Sequence, residues 1–187
     1  MKKYLLPSVK LTVLLLVLLA GIYPLFIAGI AKMAPGKGGG VTVTHNGKVV
    51  GYENIGQKFT DDKYFWSRPS AVDYNAAGSG GSNKAPGNPD YLKTVAERTD
   101  TFLAHNPDVK KADIPAELVT ASASGLDPHL SPAAAYVQIA RVAKARGMAP
   151  EKLKQLVDAN TQAPMLGMFG PSTVNVLKLN VALDELK

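Results

Sequence analysis

From Leu11 to Ala31 the chain carries no charged side chain, and the run LTVLLLVLLAGIYPLFIAGIA is mostly Leu, Val, Ile and Ala. At about 1.5 Å per residue these 21 residues span roughly 32 Å, close to the hydrocarbon thickness of a bilayer. The pattern predicts a transmembrane helix. Pro24 is tolerable in such a helix as a kink, and Tyr4 and Tyr23 are candidate interface side chains. The competing reading is a signal peptide cut after Ala31, with small residues at Gly29 and Ala31. Signal peptides, however, usually have apolar regions of about 7–15 residues, shorter than this run. Under both readings the remainder is exported.

Beyond the helix the periodicity changes. APGKGGG, 34–40, reads as a flexible linker. VTVTHNGKVVGY then places two β-rich runs around Asn46-Gly47, which favours a type I′ hairpin. Phe59, Tyr64, Phe65 and Trp66 concentrate aromatic surface in the next segment, and a turn-rich stretch covers 76–89. Three helices are predicted after it. Asn88-Pro89 opens the first, with Leu92, Val95, Ala96, Phe102 and Leu103 on one face. Ser131-Pro132 opens the second, PAAAYVQIARVAKAR, which Gly147 closes; Pro150 opens the third, burying Leu153, Leu156 and Val157. TVNVLKLN reads as a strand running into a short helix, VALDEL. Strands, helices and a final strand predict an α+β fold. The organisation is a short cytoplasmic N-terminus over 1–10, a transmembrane helix over 11–31, a Gly-rich linker over 32–40 and a single mixed soluble domain over 41–187.

Charge refines this picture. The net charge of +6 is concentrated near the helix, and without Lys2, Lys3, Lys10 and Lys32 the balance falls to +2. No basic stripe of the kind nucleic-acid binding needs is present. Lys2, Lys3 and Lys10 precede the helix while Lys32 and Lys37 follow it, so the flanking charge favours a cytoplasmic N-terminus and an external C-terminal domain. With no cysteine there is no disulfide framework, thiolate metal site or cysteine nucleophile.

Chemistry-bearing residues cluster in two loops. VTASASGLDPHLSP holds Ser122, Ser124, Asp127 and His129 within eight positions. A seryl triad usually draws its members from distant segments, and no G-x-S-x-G elbow is present. The loop reads better as a turn shaped by Gly125, with Asp127 and Ser131 bonding nearby amides. Ser131-Pro132 could also present a helix N-terminus to an anion or to partner carbonyls. The second loop, Ser79-Gly80-Gly81-Ser82-Asn83 followed by Lys84, has glycines that let amides approach a phosphate. It lacks the Gly-Lys-Ser/Thr of a P-loop, and its Ser-Gly-Gly is similar to the signature loop of ABC transporters. A structural turn is the simpler account. His45, His105 and His129 lie far apart without metal-ligand spacing, and Asp61-Asp62 lacks a calcium-loop pattern. Arg68, in SRPSA beside Trp66, either stacks on an aromatic ring or faces a partner.

The strings GQKF…YFWSRPSA, YN…SGGSN…NP, LVTASASGLDPHLSPAAA, RVAKARG and VNVLKLN follow in the order found in KdpC proteins. Across the helix and nearly the whole soluble domain the chain resembles this family, the small single-helix subunit of the bacterial Kdp potassium-transporting P-type ATPase. The resemblance implies a non-catalytic subunit of the inner membrane. Its partners would be a channel-like potassium-binding subunit, a P-type ATP-hydrolysing subunit and membrane lipid. It also implies a catalytic-chaperone role that raises the pump subunit's ATP affinity, with ATP entering only in a ternary complex with that subunit. The DKTGT phosphorylation motif of the pump is absent here. Ser79–Asn83 are then the candidate nucleotide contacts, while Arg68, Ser122, Ser124, Asp127 and His129 are candidate partner contacts; no catalytic residue and no metal ligand is assigned. An external domain conflicts with direct contact to cytoplasmic ATP. Tyr52 and Lys84 depart from the residues usual in the family. The alternatives from other classes are an exported hydrolase and an anchored binding protein independent of the pump.

Overall fold

Pro24 has no amide hydrogen to return to Ala20, and in the computed structural model the helix widens just before it. α1 (Lys2–Leu16) passes through a π-helical turn, Val17–Ile22, into α2 (Tyr23–Ala31), and the Tyr23 amide donates five residues back to the Leu18 carbonyl. Lys3–Ala31 form one continuous helix of 29 residues, long and apolar enough to cross a membrane. The structure describes residues 2–186. They divide into a unit that ends at Val41 and a second that begins at Thr42.

The second unit is α+β. β1 (Thr42–His45) and β2 (Lys48–Tyr52) form the antiparallel hairpin expected from Asn46-Gly47, whose φ angles of 51° and 74° are those of a type I′ turn. A bulge between Val43 and Thr44 shifts its register. A second sheet joins three short strands in the order β3 (His129–Leu130), β5 (Thr173–Asn175), β4 (Thr161–Gln162), all antiparallel. The central strand pairs Val174 with both Leu130 and Thr161.

α3 (Pro89–His105) starts at Asn88, whose side chain accepts the Tyr91 amide at 3.0 Å. Its inward face differs from the expected one. Thr99 and Phe102 are buried and Val95 is half-buried, whereas Leu92 and Ala96 are exposed. Thr99 can point inward because its hydroxyl donates to the Val95 carbonyl, 2.8 Å away. The helix expected over 132–146 divides into α4 (Pro132–Tyr136) and α5 (Ile139–Arg146). At the break the Gln138 amide donates to Ala135, only three residues back. The wholly buried Gln138 side chain there bonds both backbone groups of Trp66. Gly147, at φ 64°, ends α5 as expected.

α6 (Pro150–Ala159) buries Leu153 and Val157 completely and Leu156 partly. The final strand is shorter than TVNVLKLN suggests. It stops at Asn175, whose carboxamide oxygen accepts the Lys178 amide at 3.1 Å and so caps α7 (Val176–Glu185). Val176, Leu179 and Leu183 then follow helical spacing into the core. Capping outweighs the β-propensity of the valines.

The core gathers Phe65, Leu130, Val142, Leu153, Val157, Val174, Leu179 and Leu183 between the second sheet and α4–α7. Each fully buried aliphatic contributes about 1.5–3 kcal/mol. Asp61–Tyr64 make a turn, closed by the Tyr64 amide donating to the Asp61 carbonyl at 3.1 Å, and Phe65–Ser67 then run across this core without a strand partner. Side-chain amides replace one. Asn180 bonds both the amide and the carbonyl of Phe65, at 2.9 and 3.0 Å, and Gln138 does the same for Trp66, at 2.7 and 3.3 Å. Arg141, with a side chain only 3% exposed, donates to the carbonyls of Asp62 and Tyr64 and to the side chains of Gln138 and Asn106. Its guanidinium lies 4.5 Å from the centre of the Trp66 ring. Burial lowers its pKa to about 10, against the opposing pull of Asp62 and Asp61.

On the outer face, Asp158 accepts hydrogen bonds from the Tyr136 hydroxyl and, at 2.9 Å, from Lys154. Those bonds, Tyr136 first, hold the Asp158 carboxyl below its ordinary pKa. Its favourable contribution is therefore present above the unfolded-state pKa and is lost as pH falls through the lower folded value. In a carboxyl-resolved NMR titration, Tyr136→Phe should move the Asp158 midpoint upward; an unmoved midpoint would remove the tyrosine from this account.

Candidate functional site

Three segments converge on the 122–128 loop. Gly56 comes first: its amide donates to the Leu126 carbonyl at 2.7 Å, and a Cβ there would stand 2.6 Å from the Asp127 carbonyl oxygen. Pro69 follows, its carbonyl accepting the Ser122 amide at 3.1 Å. The Ser79-Gly80-Gly81 run is third. The Ser79 hydroxyl and the Gly80 amide both donate to the Ser124 carbonyl at 2.9 Å, and a Cβ on Gly81 would meet the Ala123 carbonyl at 2.8 Å. The two loops that carry the chemistry-bearing residues are thus one structure.

Gly125 lies at its centre. Its φ of 68° is left-handed, and a Cβ would come within 2.5 Å of Val72 and 2.8 Å of the Gly80 carbonyl. The turn expected at this glycine is present, with the Gly125 amide bonded to the Ser122 carbonyl. Ser70 stiffens the opposite wall by accepting the amides of Val72 and Tyr74. The Tyr74 hydroxyl reaches back to the Arg68 carbonyl at 2.5 Å. Burial, assisted by Asp73, pushes that hydroxyl up to a pKa of about 12, so it stays a donor.

Arg68 and Asp127 face each other across the concavity, Nη1 to Oδ2 2.9 Å, and their side chains are 23% and 30% exposed. Arg68 stacks on no aromatic ring among the described residues; Arg141 takes that place over Trp66. The second Asp127 oxygen accepts the His129 amide at 3.0 Å and lies 3.8 Å from the His129 ring. Ser122 is buried, and the Ser124 hydroxyl accepts the Leu126 amide. Among the described residues no hydrogen bond joins the His129 ring to either serine. Asp127 therefore holds backbone and Arg68 rather than orienting a base for a nucleophile.

The remaining sequence candidates lie outside this arrangement. Ser82 and Asn83 are exposed, Asn83 in a left-handed conformation, and the Lys84 ammonium is 3.9 Å from Asp90 at the start of α3. The N-terminus at Ser131 is occupied by the protein itself, since the Ser131 amide and hydroxyl both donate to the Glu117 carboxylate, at 2.9 and 2.5 Å. His105 bonds Asp62, His45 lies 3.5 Å from Glu185, and no three His, Asp or Glu side chains converge among the described residues.

The resulting concavity, about 670 Å³, is lined by Asn54, Arg68, Ser79, Ser124, Asp127 and neighbouring backbone. It is open, mixes Arg68, Asp127 and the serines with Ile55, Ala76, Leu126 and Pro128, and is cross-linked by the hydrogen bonds just described. Gly56, Ser70 and Tyr74 escape sequence reasoning; the only local signals for them are a glycine beside the hairpin and the RPSAVDYN string.

Comparison with known proteins gives one answer along the whole chain. The family described as K+-transporting ATPase, c chain, matches residues 5–185. The potassium-transporting ATPase KdpC subunit of Flavobacterium psychrophilum is 62% identical over 178 residues, 95% of this chain and 96% of the relative. That of Flavobacterium johnsoniae is 57% identical over 185 residues, covering 99% and 100%. The Caldanaerobacter subterraneus subunit is 49% identical over 182 residues, covering 96% and 94%. The chain belongs to the KdpC family and is the c-chain subunit of a potassium-transporting ATPase.

Proposed function

We propose that this subunit is non-catalytic, that it assembles with a channel-like potassium-binding subunit and a P-type ATP-hydrolysing subunit, and that it raises the latter's affinity for ATP. Its helix anchors it in the bacterial inner membrane with the N-terminus inside and the soluble domain outside. The supporting observation is the latch between residues 79–81 and 122–128, closed around Arg68–Asp127. It holds a cross-linked surface on which the Ser79 and Ser124 hydroxyls and the Asp127 carboxylate are engaged in structure, which favours recognition over reaction. Ser79 and Gly80 bond within the protein and Lys84 stands beside Asp90, so the loop offers ATP little of a phosphate cradle. The effect on ATP is then transmitted through the assembly. Such transmission requires the domain to bind one state of the pump more tightly than another.

The test is potassium-stimulated ATPase activity of the purified complex as a function of ATP concentration. Arg68→Ala should raise the KM for ATP about fivefold or more, in the range of ordinary coupling energies, with kcat little changed. An unchanged KM in an intact complex would remove the chaperone role. Photolabelling of this chain by an ATP analogue within the complex, abolished by Ser79→Ala, would instead favour direct contact.

A further inference from the structure

Between β4 and β5 the chain runs APMLGMFGPS, and the tip of this loop faces solvent: Met165 is 69% exposed, Leu166 80%, Met168 74% and Phe169 57%. The tip is built. Met165 and Phe169 exchange both backbone hydrogen bonds at 3.0 Å, and the Gly167 amide donates to the Pro164 carbonyl at 2.9 Å. Leu166 (φ 55°) and Gly167 (φ 76°) occupy left-handed turn positions. A leucine in that conformation carries a backbone cost, because its Cβ crowds the following carbonyl. Exposed as it is, burial within this chain does not offset that cost. From Ala159 to Leu177 no residue is charged.

We infer that this tip is a docking knob for an apolar, uncharged crevice on another subunit of the same potassium-transporting ATPase. The inference rests on the assembly described above. Two other occupants fit less well. The four side chains present on the order of 500 Å² of apolar surface, as large as the biggest patch on an ordinary monomer. A stable pair of copies needs about 800 Å² from each partner, more than the knob supplies. A bilayer surface is recognised by apolar residues together with basic ones that meet anionic headgroups, and this loop has no basic residue. A crevice on a subunit already held close by the complex needs neither a large area nor charge. Two methionines adapt to its walls, and Phe169 supplies an aromatic anchor.

The experiment uses the full chain in its complex, with a photo-crosslinking amino acid in place of Leu166 and, as control, in place of Gln155 on α6. Irradiation should join position 166, and not 155, to another subunit of the ATPase, identified by mass spectrometry. Attachment to lipid alone, to a second copy of this chain, or to nothing overturns the inference. As a second readout, Leu166→Asp combined with Phe169→Ser should reduce complex recovery about tenfold or more while leaving Trp66 fluorescence and the thermal transition of the free chain unchanged. Undiminished recovery also overturns it. If the unmodified chain does not co-purify with the ATP-hydrolysing subunit, the assembly reading itself fails; if it does and position 166 stays silent, only the knob is wrong.

Discussion

Arg141→Met should cost about 3–5 kcal/mol of folding stability, the loss expected when one member of a buried charged network is removed. Methionine replaces the aliphatic volume but leaves the carbonyls of Asp62 and Tyr64 and the side-chain oxygen of Asn106 without this donor, and the Gln138 oxygen with the Trp66 amide alone. The two carbonyls lie on the segment that carries Phe65, a wholly buried member of the core. Part of the loss is offset, because the variant no longer desolvates a cation, the same burial that lowers the Arg141 pKa to about 10. With a folded pKa depressed below its unfolded value, this base disfavours folding by a fixed amount at all pH values below about 10, and stability recovers only as pH rises through it. The wild-type and Arg141→Met stability profiles should therefore run parallel between pH 6 and 8, apart by a constant gap. Trp66, the single tryptophan, reports the change directly, because the guanidinium sits over its ring. Denaturant titration of the full chain in detergent, followed by tryptophan emission, measures the gap. Arg141→Lys keeps charge but lacks the planar fork and should fall between the two. A loss below about 1 kcal/mol in Arg141→Met would mean that water takes over the four acceptors.

The origin of this network shows which parts of the molecule are legible in the sequence. Features written in adjacent residues can be read: the Asn46-Gly47 hairpin, the caps at Asn88 and Ser131, the glycine that ends α5 and the uncharged helix. In the turn and the caps the deciding interaction spans four residues or fewer, and the helix is written in one unbroken run. Docking of Asp62–Ser67 cannot be read in the same way, because its bonds to Gln138 and Asn180 cross 72 and 115 positions. A glutamine within a helical pattern looks like a surface residue until the segment it bonds is known. The same distance hides the break between α4 and α5. At the candidate site the serines, Asp127 and the glycine loop stand out as chemistry. What joins them is the Ser79–Ser124 bond across 45 positions, and this reveals structural engagement where local composition offers a triad or a phosphate loop. Likewise MLGMF has the composition of a buried strand, and only the fold puts it outside.

Gly125→Ala should open the latch and cost about 2–4 kcal/mol, from a left-handed backbone together with overpacking. Gly147 separates the two causes. Its φ of 64° nearly equals the 68° of Gly125, yet a Cβ on Gly147 would meet nothing within 4 Å. Gly147→Ala should therefore lose only about 1 kcal/mol, the backbone part alone. At Gly125 the new methyl would meet Val72 at 2.5 Å, the Gly80 carbonyl at 2.8 Å and the Ser70 hydroxyl at 3.1 Å. The valine can turn, but the carbonyl belongs to the strand of chain whose amide bonds Ser124, so the clash can be relieved only by moving the 79–81 loop away. Hydrogen exchange at the Gly80 amide should then accelerate about 100-fold in Gly125→Ala and stay near wild type in Gly147→Ala. The pair also tests the function assigned to the latch. If a rigid surface around Arg68–Asp127 is what the pump recognises, the KM for ATP of the assembled complex should rise in Gly125→Ala and not in Gly147→Ala. Faster exchange without a change in KM would leave the latch as a device of folding alone and move recognition elsewhere on the domain.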